Sequence, residues 1–181
     1  MVLISITGPE CSGKTTLTNY LARNLDATPV LEFARAYLSD RDGVYGFHDL
    51  DVIARGQLRL VNEAGCSTPA DSRDLTSLVI TDTFLLVVRI WSMHKYNKIS
   101  EEVKHLYTAY QPDVYVLCRP DMPWVKDALR ENARDRDALF AEYLKHVKSS
   151  GIPFVIVEGE GEERMSRALE QVSTLIQKNI P

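Results

Sequence analysis

The residues with the clearest chemical potential form a glycine-rich loop near the start of the chain. Residues 8–15 read GPECSGKT and fit the pattern G-x-x-x-x-G-K-[ST]. Glycines let successive backbone N–H groups turn inward, and such a loop at a helix N-terminus solvates phosphate oxygens. Lys14 would serve the β- and γ-phosphates of ATP, and the Thr15 hydroxyl is suited to Mg²⁺. The predicted nucleotide-binding residues are Gly8, Pro9, Glu10, Cys11, Ser12, Gly13, Lys14, Thr15 and Thr16.

Two carboxylates follow predicted strands and are candidates for the rest of the reaction. Asp82 follows the apolar run 78–81, where a strand-end carboxylate would support Mg²⁺; a helix N-cap is the alternative. Glu32 follows the short run 29–31 and would lie across the cleft from the γ-phosphate, where it could accept a proton from an attacking hydroxyl. Arg35 lies one helical turn later and is expected to contact phosphate or to form a plain surface ion pair with Glu32.

A mixed-charge segment, residues 119–137, is a candidate lid. Phosphoryl transfer develops charge on the equatorial oxygens, and kinases bring mobile arginines over the nucleotide to stabilise it. The segment offers Arg130, Arg134 and Arg136, of which Arg130 is the first choice for a catalytic role. The alternative is a solvated helix, because mixtures of acidic and basic residues often have no specific function.

The elements that must position these residues alternate between short apolar runs and helical periods. The five strand candidates are residues 2–7, 29–31, 78–81, 114–118 and 154–157. Helices are predicted from Lys14 onward and over 33–38, 49–64 and 84–94, with a polar loop over 65–76. Because parallel strands need crossover connections, we expect a P-loop NTPase-type three-layer α/β/α sandwich with a five-stranded parallel sheet and a helical lid segment. Gly56, inside a predicted helix, indicates a close approach by another group.

Length and composition narrow the class of protein. The 181 residues, 45% hydrophobic and 25% charged, predict one folded domain over residues 1–181. A net charge of −4 argues against nucleic acid and membrane partners, and no apolar run approaches the ~20 residues needed to span a bilayer. Met1 leads directly into a strand rather than a signal segment, so a cytoplasmic location with reduced cysteines is expected. The oligomeric state and the choice between ATP and GTP stay open.

Several segments together resemble the nicotinamide riboside kinase domain of NadR-type proteins. They are the loop from Gly8 to Leu17, Glu32-Phe33-Ala34-Arg35 with Tyr37-Leu38, Ile53-Ala54-Arg55-Gly56-Gln57, Thr81-Asp82-Thr83, Trp91, and Asp121-x-Pro123-Trp124-x-x-Asp127-x-x-Arg130. The resemblance covers nearly the whole chain. The loop is shared by many NTPases, whereas the Pro-Trp-x-x-Asp-x-x-Arg segment is the most specific part.

This resemblance implies a P-loop kinase that transfers the ATP γ-phosphate to the ribose 5′-hydroxyl of nicotinamide riboside, giving nicotinamide mononucleotide in NAD salvage. It places residues 8–16 at ATP, Asp82 at Mg²⁺, and Trp124, Asp127 and Arg130 in a substrate-and-lid segment. NadR-type proteins often carry an adenylyltransferase domain with an H-x-G-H-like motif. That motif is absent here, so the mononucleotide is the expected product.

A pocket for nicotinamide riboside should offer an aromatic face to the cationic ring, amide partners and a carboxylate. The candidates are Trp91 or Trp124, Gln57, and Glu32 or Asp127. Trp124 lies in a polar loop and is harder to explain as a core residue than Trp91.

The loop indicates the phosphate donor but not the acceptor, so two other functions stay open. One is a kinase of another nucleoside or nucleotide; the other is an ATP-dependent switch or binding module. ADP release that depends on a small-molecule acceptor would favour a kinase over a switch.

Overall fold

Five parallel strands form the centre of the molecule. The computed structural model describes residues 1–66, 77–125 and 134–179. The strands are β1 (Val2–Thr7), β2 (Thr28–Val30), β3 (Leu78–Asp82), β4 (Val114–Cys118) and β5 (Phe154–Val157). They are ordered β2-β3-β1-β4-β5 with every pairing parallel. Both β1 and β4 are buried along their whole length, as expected for strands covered on both faces.

Helices cover both faces of the sheet. In the described parts of the chain they are α1 (Lys14–Asn24), α2 (Phe33–Ser39), α3 (Asp49–Cys66), α4 (Leu85–Tyr96), α5 (Glu101–Ala109), α6 (Arg136–Ser150) and α7 (Gly161–Asn179). On one face, α1 and α7 pack against Ile4 and Ile6 of β1. On the other face, α2 to α5 pack around Leu3, and α6 packs against β4. This alternation along β1 follows the two-residue period of a strand.

The parallel five-stranded sheet is confirmed, whereas several element boundaries differ from the predictions. Strand β2 ends at Val30, one residue early, and β3 includes Asp82. Helix α3 continues through Gly65 and Cys66, so the predicted loop over 65–76 was wrong at those two residues. The rest of that loop, 67–76, lies outside the described residues.

The sequence patterns missed α5, whose start is defined by a capping contact. The Ser100 hydroxyl accepts a hydrogen bond from the Val103 N–H at 3.1 Å, which satisfies one of the free donors of the first turn.

In the proposed lid, Arg136 and Asp137 already belong to α6. Residues 126–133, which include Asp127 and Arg130, lie outside the described chain. Within the described ranges, none of the helices combines the length and the apolarity that crossing a membrane requires.

Candidate active site

The glycine-rich loop connects β1 to α1, at the edge of the sheet where β1, β3 and β4 end. Gly8 has a φ of +135°, and a Cβ there would lie 2.5 Å from the Cys118 carbonyl oxygen at the end of β4. Gly13 has a φ of +74° and is the N-cap of α1. At Gly8, only glycine allows both the positive φ and the close contact with Cys118, because a side chain would clash with the backbone. The two glycines therefore let the loop turn closely over the sheet edge.

Side chains of the loop hold its own backbone. The Lys14 ammonium donates a hydrogen bond to the Pro9 carbonyl oxygen at 2.7 Å. The Ser12 hydroxyl donates to the same oxygen, also at 2.7 Å. Lys14 lines the large cleft beside the loop, so its positive charge faces the space that a phosphate group would enter.

Asp82, the last residue of β3, reaches the first turn of α1. The Thr15 hydroxyl donates to Asp82 Oδ2 at 2.5 Å, while the buried Asp82 Oδ1 has no hydrogen-bond partner among the described residues. A buried carboxylate oxygen without a partner is costly. Because a hydroxyl and a carboxylate are ligands that Mg²⁺ prefers, this pair fits the metal. Helix α4 is capped at Phe84 instead, so the N-cap alternative for Asp82 does not apply.

Thr83 turns the chain sharply after Asp82. Its φ is +70°, a strained value for a β-branched residue. Its N–H donates to the Ile6 carbonyl at 3.1 Å, and its carbonyl accepts from the Thr81 hydroxyl at 2.7 Å. These contacts fix the backbone on both sides of the strained residue and thereby the position of Asp82. Sequence reasoning missed this role, because no local pattern indicates a positive φ at a threonine.

Glu32 lines the same cleft as Lys14 and Asp82. It is the N-cap residue of α2, but its side chain makes no capping hydrogen bond. Burial raises the pKa of its carboxyl; the Lys14 charge opposes this shift, and the Asp82 charge adds to it. A carboxylate with a raised pKa is a stronger proton acceptor, which suits a general base. Arg35 also lines the cleft and has a smaller, lowering effect on the pKa of Glu32.

The residue after Glu32 is anchored to α3 by close packing. A Cβ on Gly56 would lie 2.4 Å from the Phe33 ring, so the close approach that the glycine predicted is made by Phe33. Gln57 is 2% exposed, and its Oε1 accepts from the Phe33 N–H at 2.7 Å. Its Nε2 donates to the Thr81 hydroxyl at 2.9 Å. Gln57, predicted to bind substrate, is thus engaged within the protein and does not line the cleft in the described structure.

The cleft offers about 240 Å³ to water-sized molecules and combines polar and apolar walls. Besides the loop, Glu32 and Asp82, the described residues that line it are Ala34, Arg35, Leu38, Thr83, Val87, Ile90, Trp91, His94, Leu139 and Tyr143. The Trp91 indole N–H donates to the Tyr45 hydroxyl at 2.9 Å. Burial raises the pKa of the Tyr143 phenol, and the Glu32 and Glu10 charges add to the shift. Sequence reasoning missed Tyr143, whose spacing on α6 is the same as that of core residues.

Trp124 and two of the predicted lid arginines lie elsewhere. The Arg136 guanidinium lies 5.7 Å from the centre of the Trp124 ring, and it donates to the Met122 carbonyl at 2.8 Å and to the Cys11 carbonyl at 3.4 Å. Arg134 is exposed. The described residues that line the cleft do not include Trp124, Arg134 or Arg136. The structure thus brings Trp91, and not Trp124, together with Glu32.

The chain is similar to one protein family and to several known proteins. A family model described as "AAA domain" matches residues 3–164. Two curated relatives are the trifunctional NAD biosynthesis/regulator protein NadR of Salmonella typhimurium and that of Escherichia coli. They are 27% and 26% identical over 180 residues, covering 96% of this chain and 42% of each relative. The chain therefore spans less than half the length of these relatives.

Solved structures show the same fold. A NadR protein in complex with NAD and AMP-PNP has a TM-score of 0.71 and 21% identity, covering 96% of this chain and 49% of that one. A NadR protein in complex with NR has a TM-score of 0.72 and 20% identity, covering 96% and 50%. Thymidylate kinase from Candida albicans has a TM-score of 0.67 and 15% identity, covering 98% and 92%. The predicted P-loop kinase fold and the similarity to NadR are confirmed, and the chain belongs to the AAA domain family.

Proposed function

We propose that the protein is an ATP-dependent kinase whose acceptor is the ribose 5′-hydroxyl of nicotinamide riboside. The observation that carries the kinase proposal is the cleft lined by Glu32, Lys14 and Asp82, in which the charges of Lys14 and Asp82 act on the pKa of Glu32. A carboxylate in the same cleft as a cationic glycine-rich loop supports a proton acceptor beside bound phosphate. The acceptor is supported by the relatives named for NAD biosynthesis and by the similar fold solved with NR.

On the donor side, the backbone N–H groups of residues 8–15, other than Pro9, which has none, and the Lys14 ammonium would bind the phosphates of ATP. Thr15 and Asp82 would hold Mg²⁺, which when bound supplies charge neutralisation at the phosphate oxygens. The protein's own task is to hold the γ-phosphate in line with the acceptor while the cleft excludes water. The apolar side chains of Leu38, Val87 and Ile90 on the cleft wall serve this exclusion.

On the acceptor side, Glu32 would take the proton of the 5′-hydroxyl as its oxygen attacks the γ-phosphorus. The bond between that phosphorus and the bridging oxygen of ADP breaks, and the products are nicotinamide mononucleotide and ADP. Trp91 replaces Trp124 as the proposed aromatic partner of the cationic nicotinamide ring, because in the described structure Trp91, unlike Trp124, lines the same cleft as Glu32. Asp127 and Arg130 stay predictions for the proposed lid, residues 119–137. We treat this lid as part of a single domain.

A coupled ADP-release assay tests the reaction. With Mg-ATP and the purified chain, we expect release that depends on nicotinamide riboside, with the mononucleotide identified by mass spectrometry. The thymidylate kinase fold similarity favours one second candidate, a nucleoside or nucleotide kinase, so thymidine, uridine and dTMP belong in the panel. Turnover of one of these without the riboside would reassign the acceptor. ADP release at the same rate with and without acceptors would favour a switch or binding module.

A further inference from the structure

One buried arginine contacts the phosphate-binding loop from outside the cleft. Arg164, in the first turn of α7, is 1% exposed and is not among the described residues that line the cleft. Its Nη2 donates to the Ser12 carbonyl oxygen at 2.6 Å. Because a buried guanidinium is stable only with partners, its remaining contacts show what holds it at the loop.

Those contacts join Arg164 to two other connections of the fold, while its buried Nε has no hydrogen-bond partner among the described residues. Arg164 Nη1 donates to Asp121 Oδ1 at 3.0 Å and to the Gly159 carbonyl at 2.9 Å. The other carboxylate oxygen of Asp121 accepts the Gly159 N–H at 2.5 Å. Asp121 follows β4, and Gly159 lies between β5 and α7. The segments that follow β4 and β5 thus hold the guanidinium in contact with the loop.

Because the peptide bond is planar, the contact of Arg164 with the Ser12 carbonyl also sets the direction of the Gly13 N–H. The Ser12 carbonyl and the Gly13 N–H belong to one planar trans peptide and point in opposite directions. Since Arg164 binds the carbonyl from outside the cleft, the N–H must point away from Arg164, towards the side of the loop that lines the cleft. Gly13 has a φ of +74°, so its backbone has the freedom to flip unless this peptide is held.

We propose that Arg164 is a positioning residue of the nucleotide site, which acts through the Ser12 carbonyl to aim the Gly13 N–H at the ATP phosphates. Asp121 holds the guanidinium in the required orientation. The inference rests on the donor half of the proposed function and is independent of which acceptor is used. Sequence reasoning had singled out Asp121 only within a family segment and had not considered Arg164.

The test measures nucleotide affinity directly. Calorimetric titration with AMP-PNP and Mg²⁺ is applied to the wild type and to Arg164→Met, Arg164→Lys, Asp121→Asn and Arg167→Met. Arg167 is the matched control, because it lies on the same helix and donates to the Glu158 carbonyl at 3.2 Å without a contact to the loop in the described structure. We expect Kd to rise tenfold or more in Arg164→Met, to recover partly in Arg164→Lys, to rise less in Asp121→Asn, and to stay within twofold in Arg167→Met.

A merely structural role for Arg164 would lower Tm without changing the affinity of the folded protein. A Kd for Arg164→Met within twofold of the wild type, or an equal loss in Arg167→Met, would overturn the proposal. If Arg164→Met does not fold, unchanged affinities in both Arg164→Lys and Asp121→Asn would overturn it instead. Where an acceptor is turned over, KM for ATP should rise while KM for the acceptor stays constant. A wild type that binds AMP-PNP but phosphorylates no riboside would refute the acceptor proposal and leave this comparison valid.

Discussion

The two halves of the cleft are built in different ways. The donor half is made from one continuous stretch, residues 8–16, whose backbone supplies most of the predicted contacts. The proposed acceptor half is made from Glu32, the N-cap residue of α2, and from side chains on α2, α4 and α6, including Trp91 and Tyr143. Binding by backbone depends on a local conformation, whereas binding by side chains depends on how distant elements pack. The proposed donor half should therefore work in the same way whatever the acceptor, and the proposed acceptor half should determine which acceptor is bound.

The largest expected effect lies in the donor half. Lys14→Ala should lower kcat by about a thousandfold, because the ammonium stabilises charge on the transferring phosphate. Since Lys14 is outside the apolar core, Tm should change little. The measurement is acceptor-dependent ADP release together with thermal unfolding, with the exposed Arg23→Ala on the same helix as control. A folded Lys14→Ala with near-normal turnover would contradict the assignment of the loop.

The second effect concerns Glu32 and separates activity from stability. Glu32→Gln should lower kcat by roughly a hundredfold by removing the base. The native pKa of Glu32 is raised above its ordinary 4.5, so the native state binds this proton more tightly than the unfolded chain. Stability is therefore lost as pH rises from that ordinary value through the native pKa.

Glu32→Gln should accordingly raise Tm at pH 7 but not below pH 4.5, as measured by thermal unfolding across pH. In the wild type, kcat should fall as pH drops through the raised pKa of Glu32, and the variant should lack that dependence. A lower Tm at pH 7 for Glu32→Gln would show that the ionised carboxylate stabilises the folded protein, contrary to the raised pKa. An unchanged kcat would show that Glu32 is not the general base.

The third effect tests the contact between the donor loop and the neighbouring strand. Asp82→Asn should raise the Mg²⁺ concentration for half-maximal activity about tenfold, because an amide is a weaker ligand than a carboxylate. The Mg²⁺ dependence of ADP release measures this. Asp113→Asn is a suitable control, since this carboxylate accepts the Leu3 N–H at 2.7 Å at the other end of the sheet. An unchanged Mg²⁺ dependence in Asp82→Asn would assign the metal to other groups.

The fourth effect links the packing of α3 to the acceptor half. Gly56→Ala would place a methyl group against the Phe33 ring, and overpacking of this kind costs about 1–3 kcal/mol. We expect Tm to fall by several degrees and kcat to fall several-fold, because Phe33 adjoins Glu32. Gly46→Ala is the control, since a Cβ there meets only Asp49 at 3.8 Å. A gain in stability for Gly56→Ala would mean that helix propensity outweighs the contact.

The same difference explains how much the sequence alone could predict. The loop, the five strands and the position of Asp82 at the end of a strand were readable, because each depends on a local pattern of glycines, apolar runs or a strand end. The partner of Gly56 and the engagement of Gln57 with Thr81 were not readable, because residues far apart in sequence make these contacts. Likewise, the local argument for Trp124, its position in a polar loop, gave no sign that Trp91 lines the cleft with Glu32, because that depends on how α4 packs.

The smallest expected effect decides between those two tryptophans. A cation over an indole is stabilised by about 0.5–2 kcal/mol, so Trp91→Leu should lower kcat/KM for the cationic riboside several-fold or more. The neutral dihydro form of the riboside should lose less, because lost packing alone would weaken both substrates equally. Trp124→Leu is the matched control and should affect the two substrates alike. Equal losses for both ribosides in Trp91→Leu would exclude a charge-dependent contact there, and a charge-dependent loss confined to Trp124→Leu would place the nicotinamide ring beside Arg136 instead.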